Sequence, residues 1–414
     1  MPSKKADSAP NQPSQKTKLF FNRIRRKDRD GTPDSPIEKL VLFISGLWLE
    51  ARQKIVIEDD ALRGQKKPYI LLCNHESFFD FYYVSKLAHP RNPCFLVNEY
   101  YTQRPLLRTL AKKTGILPKR LFSADMRTPL GILRTLRKGF PVVIFPEGRL
   151  SPDGRTNPIV EPGAMLYKKS GADLALARIQ GAYYANPKWR KAMFRSVVRV
   201  TVERVLWAEE MQAMTDDELN HLIANTLYTD ESAGTEKPIR RGGRAKGLEN
   251  LLYRCADCGT LYSTESGGNT LFCARCGAAH TLDEHYRFTS GPASIAAYYD
   301  AIRRMEAAEL NDVSLSCAVN TTVFGKDGRI SRKETGQCFL SREAFLYRSS
   351  NETISIPMQA LPALAYSCGK EFELYNQEEL HYFYPVSHPQ QTARWALIVD
   401  LLEQERKEHN GNEQ

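Results

Sequence analysis

The chain has 414 residues, 42% of them hydrophobic, which is room for two to three domains with ordinary cores. Its net charge of +10 favours an anionic partner, either a membrane surface or a nucleic acid. No apolar run reaches the roughly 20 residues needed to span a bilayer, and the N-terminus lacks the layout of a signal peptide. The nine cysteines follow no disulfide framework, which fits a reducing compartment. An integral membrane helix protein and a secreted disulfide scaffold are thereby set aside. The expectation is a cytoplasmic protein, at most peripheral on a membrane.

Residues 1–34 are rich in Lys, Arg, Pro, Ser and Asp and read as a disordered basic arm. Ser35-Pro36-Ile37-Glu38 then opens a helix, with Ser35 as N-cap and Glu38 closing a capping box. It runs to about Arg52 and carries Leu40, Val41, Phe43, Ile44, Leu47 and Trp48. Such a helix either packs on the domain or lies in a bilayer interface. Strands are expected at 55–57 and 69–72. The second ends at Asn74, placing His75 at the carboxyl end of a strand, where open α/β sheets form ligand crevices. Asp80 is expected one turn into the next helix, able to hold one imidazole nitrogen of His75. A His fixed in one tautomer is a positioned general base for a hydroxyl proton. A strand at 94–97, helices at 105–114 and 129–138, and a strand at 142–145 follow. The last ends in Pro146-Glu147-Gly148-Arg149, where Gly148 permits a tight turn and Arg149 offers a planar cation suited to phosphate.

In this order the motifs resemble those of the glycerolipid and lysophospholipid acyltransferases. His75 and Asp80 match the family's His-x4-Asp, and Phe145-Pro146-Glu147-Gly148 its Phe-Pro-Glu-Gly. Gly115-Ile116-Leu117-Pro118-Lys119-Arg120 is similar to the block between them. The resemblance covers roughly residues 35–230. It implies acyl transfer from a thioester, on acyl-carrier protein or coenzyme A, to a lysophospholipid hydroxyl. His75 would be the base and Asp80 its orienter. Glu147, Gly148, Arg149, Lys119 and Arg120 would hold the acceptor and its phosphate. Several cations favour lysophosphatidic acid, giving phosphatidic acid. Many members read Phe-Pro-Glu-Gly-Thr-Arg-Ser, whereas here Arg149 follows Gly148 directly, as in a subgroup acting on lysophosphatidylethanolamine. The stretch 173–179 stands where the family's fourth block usually has a proline.

Strands at 174–179 and 197–206 and a helix opened by the capping box Thr215-Asp216-Asp217-Glu218 complete this α/β domain, 35–228. Residues 229–249 read as a basic, Gly-rich solvated linker, with headgroup contact as the alternative. In 250–290, Cys255-x2-Cys258 and Cys273-x2-Cys276 form two knuckles, each followed by Gly, with fourteen residues between the pairs. That pattern resembles a zinc ribbon with a structural zinc; a disulfide pair or redox site is the alternative. His280 and His285 are expected at the surface rather than as ligands. The ribbon lacks the basic and aromatic interleaving of a nucleic-acid surface, so no nucleic acid is expected. A helix at 294–308 precedes short strands at 315–324, 336–340, 344–347, 353–357, 372–375 and 380–384 and a helix at 390–406. Antiparallel strands closed by one helix, over 310–408, resemble pleckstrin-homology-like and GRAM-like β barrels.

Overall fold

Ser35 caps the first helix, α1 (Pro36–Glu50), its hydroxyl accepting from the Glu38 amide at 3.1 Å. The structure is a computed structural model and describes residues 33, 35–58, 62, 65–99, 111, 113–122, 126–160 and 163–412. The expected basic arm and most of the expected helix at 105–114 lie outside these residues. The Glu38 side chain reaches the sheet: its Oε2 accepts from the Gly115 amide at 2.9 Å, tying α1 to it. Gly46 and Leu49 face inward, and a Cβ at Gly46 would lie 2.6 Å from the Tyr82 hydroxyl. The opposite face carries Leu40, Phe43, Ile44, Leu47 and Trp48, all exposed.

Seven strands form the first sheet: β1 (Gln53–Ile57), β2 (Tyr69–Cys73), β3 (Cys94–Asn98), β4 (Ile116–Lys119), β5 (Val142–Ile144), β6 (Asp173–Gln180) and β7 (Ser196–Leu206). Their order is β1-β7-β6-β2-β5-β3-β4, parallel throughout except for the antiparallel β6–β7 pair. All of β2 is buried, as an unbroken apolar run requires when both faces of a sheet are covered. Tyr69, Leu71 and Cys73 join one core and Ile70 and Leu72 the other, the period-2 alternation of a strand. The first core is closed by α1 and α2 (Asp80–Ala88). The second is closed by α3 (Arg127–Arg137), α4 (Ala164–Ser170), a short α6 (Ala208–Ala213) after α5 (Ala182–Ala185), and α7 (Asp216–Leu227). The Thr215–Glu218 capping box of α7 forms in both directions. Because β2, β5 and β6 are adjacent and parallel, their carboxyl ends meet on one edge.

The cysteine region is a three-stranded antiparallel sheet: β8 (Thr264–Gly267), β9 (Thr270–Cys273) and β10 (Ala279–Thr281). After α8 (Ile295–Ala308), seven antiparallel strands follow: β11 (Ser314–Phe324), β12 (Ile330–Ser341), β13 (Ala344–Ser349), β14 (Thr353–Pro357), β15 (Ala365–Ser367), β16 (Glu371–Asn376) and β17 (Glu379–Pro385). They are ordered β14-β13-β12-β11-β17-β16-β15 in one curled sheet, packed on the last helix, α9 (Gln391–Asn412).

The stretch 229–249 is not a solvated linker. Ile239, Ala245 and Leu248 are buried, and the Arg244 guanidinium donates to the carbonyls of Leu282, Ile239 and Arg241. One apolar cluster runs from Tyr183, Tyr184 and Trp189 through Tyr253, Leu271 and Leu282 to Phe345, Phe372, Phe383 and Trp395.

Candidate active site

Asn74 ends β2 by exchanging two bonds with Ile179 of β6, at 2.7 and 2.8 Å. This fixes the backbone from which His75 projects. The His75 amide donates to Glu147 Oε1 at 2.6 Å, and its carbonyl accepts from the Ser151 amide at 2.8 Å. Asp80 is the first residue of α2. Its Oδ2 accepts from His75 Nδ1 at 2.9 Å and from the amides of Glu76 and Ser77 at 2.8 and 3.0 Å. The imidazole stacks on Phe145, centroids 4.2 Å apart and planes 15° from parallel. With Nδ1 engaged by the carboxylate, Nε2 is the nitrogen left to take a proton. The Asp80 carboxylate is held by amides on one side and imidazole on the other, and is fully buried.

Glu147 has a different place from the one expected. It turns away from the cavity described next and accepts from the amides of His75 and Asn157 and from Asn157 Nδ2, at 2.6, 2.6 and 2.8 Å. Burial pushes its carboxyl up to about 8, against these three donors, which favour the ionised form. It braces the His75 loop. Gly148 has φ +70°, and a Cβ there would meet the Phe122 ring at 3.1 Å. Only glycine fits this left-handed turn without strain.

His75, Gly148, Arg149 and Lys119 border one cavity of about 1270 Å³. This is larger than the usual range for small-molecule sites, about 300–1,000 Å³. Phe78, Phe81, Phe95, Ile116, Ile132 and Leu166 make much of its wall apolar. Part of the opposite wall comes from the C-terminal sheet, through Tyr366, Lys370, Glu371, Glu373 and Tyr382.

The expected cations are divided by this junction. Arg120 is tied into it, pairing with Glu99 at 2.7 Å and with Glu378 at 3.2 Å, and it lies over the Tyr375 ring. Arg149 donates through Nη2 to Asp400 of α9 at 2.5 Å, while its buried Nε and Nη1 have no hydrogen-bond partner. Sequence reasoning missed Lys188. It lines the cavity with its amine 3.3 Å from the centre of the Tyr366 ring. Burial and the neighbouring Arg149 lower its pKa to about 7. Lys188 follows α5, and only the folded chain brings it to the cavity that His75 also borders.

The four cysteines converge. Cys255 and Cys276 Sγ lie 3.8 Å apart, Cys258 and Cys273 Sγ 3.8 Å, and all four within 4.8 Å of one another. A tetrahedral zinc with bonds of about 2.3 Å requires sulfur–sulfur edges of about 3.8 Å, so this donor set fits the ion. All four are free thiols rather than disulfides. His280 is buried, not at the surface, and bridges Asp257 at 2.8 Å and the Ser290 carbonyl at 3.1 Å. His285 bonds the Thr235 carbonyl at 2.8 Å.

A strand-end imidazole–carboxylate pair, braced from below and open to an apolar cavity, is a site for moving a proton beside a lipid-like substrate. Residues 54–183 match the family model described as Acyltransferase. The match takes in His75, Asp80, Glu147, Gly148 and Arg149, spans under a third of the chain, and stops before Lys188 and the four clustered cysteines. Among solved structures, the chain is similar to the 1-acyl-sn-glycerophosphate (LPA) acyltransferase from Thermotoga maritima, with 19% identity and a TM-score of 0.38. The likeness covers 51% of this chain and 85% of that one.

Proposed function

We propose that the protein transfers a fatty acyl group from a thioester, on acyl-carrier protein or coenzyme A, to the free hydroxyl of a lysophospholipid. The observation that carries this reading is the His75–Asp80 pair at the border of the apolar cavity. His75 Nε2 takes the hydroxyl proton as the oxygen attacks the thioester carbonyl. The new C–O bond forms, the C–S bond breaks, and the imidazolium returns the proton to the departing sulfur. No serine or cysteine nucleophile is needed. Lysophosphatidic acid is the acceptor that a cluster of cations favours. With Arg120 engaged by two carboxylates, that cluster is smaller than the sequence suggests, and lysophosphatidylethanolamine stands beside it.

The reading places the protein peripherally on the cytoplasmic face of a membrane. Among the described residues no helix is long and apolar enough to cross one. The exposed stripe of α1 lies beside the cavity, since Val41 and Leu42 of the same helix line it and Phe78 is both exposed and cavity-lining. A net charge of +10 adds attraction to anionic lipid. The cysteine cluster would hold one structural zinc, and the C-terminal sheet with its closing helix is read as a pleckstrin-homology-like unit.

The test is transfer by the purified chain from either thioester to lysophosphatidic acid, lysophosphatidylethanolamine, lysophosphatidylglycerol and glycerol 3-phosphate. His75→Ala should lose about 10²–10⁴-fold in kcat. Turnover within about twofold of the parent protein would remove His75 as the base.

A further inference from the structure

Arg149 presents a side chain only 8% exposed whose Nε and Nη1 are without partners. Buried donors of this kind are normally satisfied, so their orientation beside a cavity marks a place for an acceptor group. Lys188 stands in the same electrostatic cluster, enclosed by protein but open to the cavity, with an aromatic face rather than a carboxylate as its near neighbour. Two cations there point to an anion. Carboxylates are interleaved with them: Asp400 pairs with Arg149, and Glu373 lines the cavity while accepting from Asn98 at 2.5 Å. Lys370 and Glu371 cancel as a pair at 3.1 Å. Immediately around Arg149 and Lys188, a doubly charged phosphomonoester would meet two cations but also the carboxylates of Asp400 and Glu373. A phosphodiester that also carries an amine meets both signs.

Resting on the acyltransfer reading, we propose that Lys188 and the C-terminal sheet complete a headgroup subsite for a zwitterionic phosphodiester of the phosphoethanolamine type. Arg149 Nε and Nη1 and Lys188 take the phosphate, and Glu373 faces the amine. Asp400 and Tyr366 are positioning residues, holding the Arg149 guanidinium and the Lys188 amine. The groups facing Lys188 are Arg149, Asp400, Glu373, Cys368 and Tyr366. Its pKa, lowered to about 7, makes the amine neutral above that pH in the empty site. Affinity for the phosphate therefore falls as pH rises from 6 to 8.

Two readouts test this on the full chain. In turnover, lysophosphatidylethanolamine should exceed lysophosphatidic acid at least tenfold in kcat/KM, with lysophosphatidylglycerol between. Glu373→Gln should erase the advantage over lysophosphatidylglycerol. In equilibrium binding to the His75→Ala chain, Lys188→Met should weaken lysophosphatidylethanolamine at least tenfold, and Lys188→Arg should retain most of the affinity. A tenfold preference for lysophosphatidic acid overturns the proposal, as does unchanged affinity in folded Lys188→Met. If Lys188→Met does not fold, Glu373→Gln decides between ethanolamine and glycerol headgroups. Absence of turnover with every acceptor would sink the acyltransfer reading instead, and the binding arm would still judge the subsite.

Discussion

At the scale of single residues, the site separates groups that border the cavity from groups that hold them. Glu147 belongs to the second kind. Glu147→Ala strips three N–H donors of their acceptor inside the protein, and each buried donor left unpaired costs about 1–3 kcal/mol. The expected outcome is a lower melting temperature together with lower kcat, by differential scanning calorimetry and steady-state kinetics. A raised KM with unchanged melting would return Glu147 to the cavity wall. His75 and Asp80 were legible in the sequence because they are five residues apart and a strand end fixes their relation. The role of Glu147 was not, because whether a carboxylate meets solvent or a neighbouring loop depends on Asn157 and on how β2 and β5 sit side by side. Lys188 was invisible for the same reason, since no local pattern marks a lysine whose neighbours come from another part of the chain.

At the scale of elements, the apolar strands declare themselves and the polar ones do not. The expected β2, β5 and β6 lie within a residue of the observed ones at each end. The first half of β12 carries Ser331, Arg332, Lys333 and Glu334, without apolar alternation. Arg332 there pairs with Glu352 and Glu379. The short β15 escaped because three residues carry no period. For α1, the two readings of its sequence are separated by exposure: Leu40, Phe43, Ile44, Leu47 and Trp48 recur at helical spacing on the outer face. Fully burying one such side chain is worth roughly 1.5–3 kcal/mol. Phe43→Glu with Leu47→Glu should therefore weaken binding to anionic vesicles at least tenfold in flotation. Part of the parent protein's binding should survive salt that screens charge. Vesicle binding unaffected by the double change would show that the helix does not touch lipid.

At the scale of the whole molecule, three units named from sequence are joined by one apolar cluster. The cluster from Trp189 to Trp395 crosses every boundary drawn at 228, 250 and 290. The sequence displays each unit's local pattern but not which surfaces meet, because those contacts join residues hundreds of positions apart. This changes what metal removal should do. The knuckle at Ala256 donates to the Tyr298 hydroxyl of α8 at 3.0 Å, and Arg254 pairs with Glu309. Structural zinc contributes about 10–16 kcal/mol to small metal-organised modules. Cys258→Ser is expected to lower the melting temperature of α8 and the C-terminal sheet along with the sheet β8–β10, followed by near-ultraviolet circular dichroism. Purified parent protein should carry one zinc by elemental analysis. A metal-free preparation with paired disulfides would refute the site.

The salt bridge between Arg149 and Asp400 has a consequence in time. A growing chain emerges N-terminus first, and domains generally fold as they appear. His75 and Asp80 can take their places early, but Asp400 is made more than three hundred residues later. Until the C-terminal sheet docks, the cavity bordered by His75 lacks the part of its wall that Tyr366, Glu371, Glu373 and Tyr382 supply. On the acyltransfer reading, the order of synthesis keeps the site unfinished until the far end of the chain settles onto the first domain.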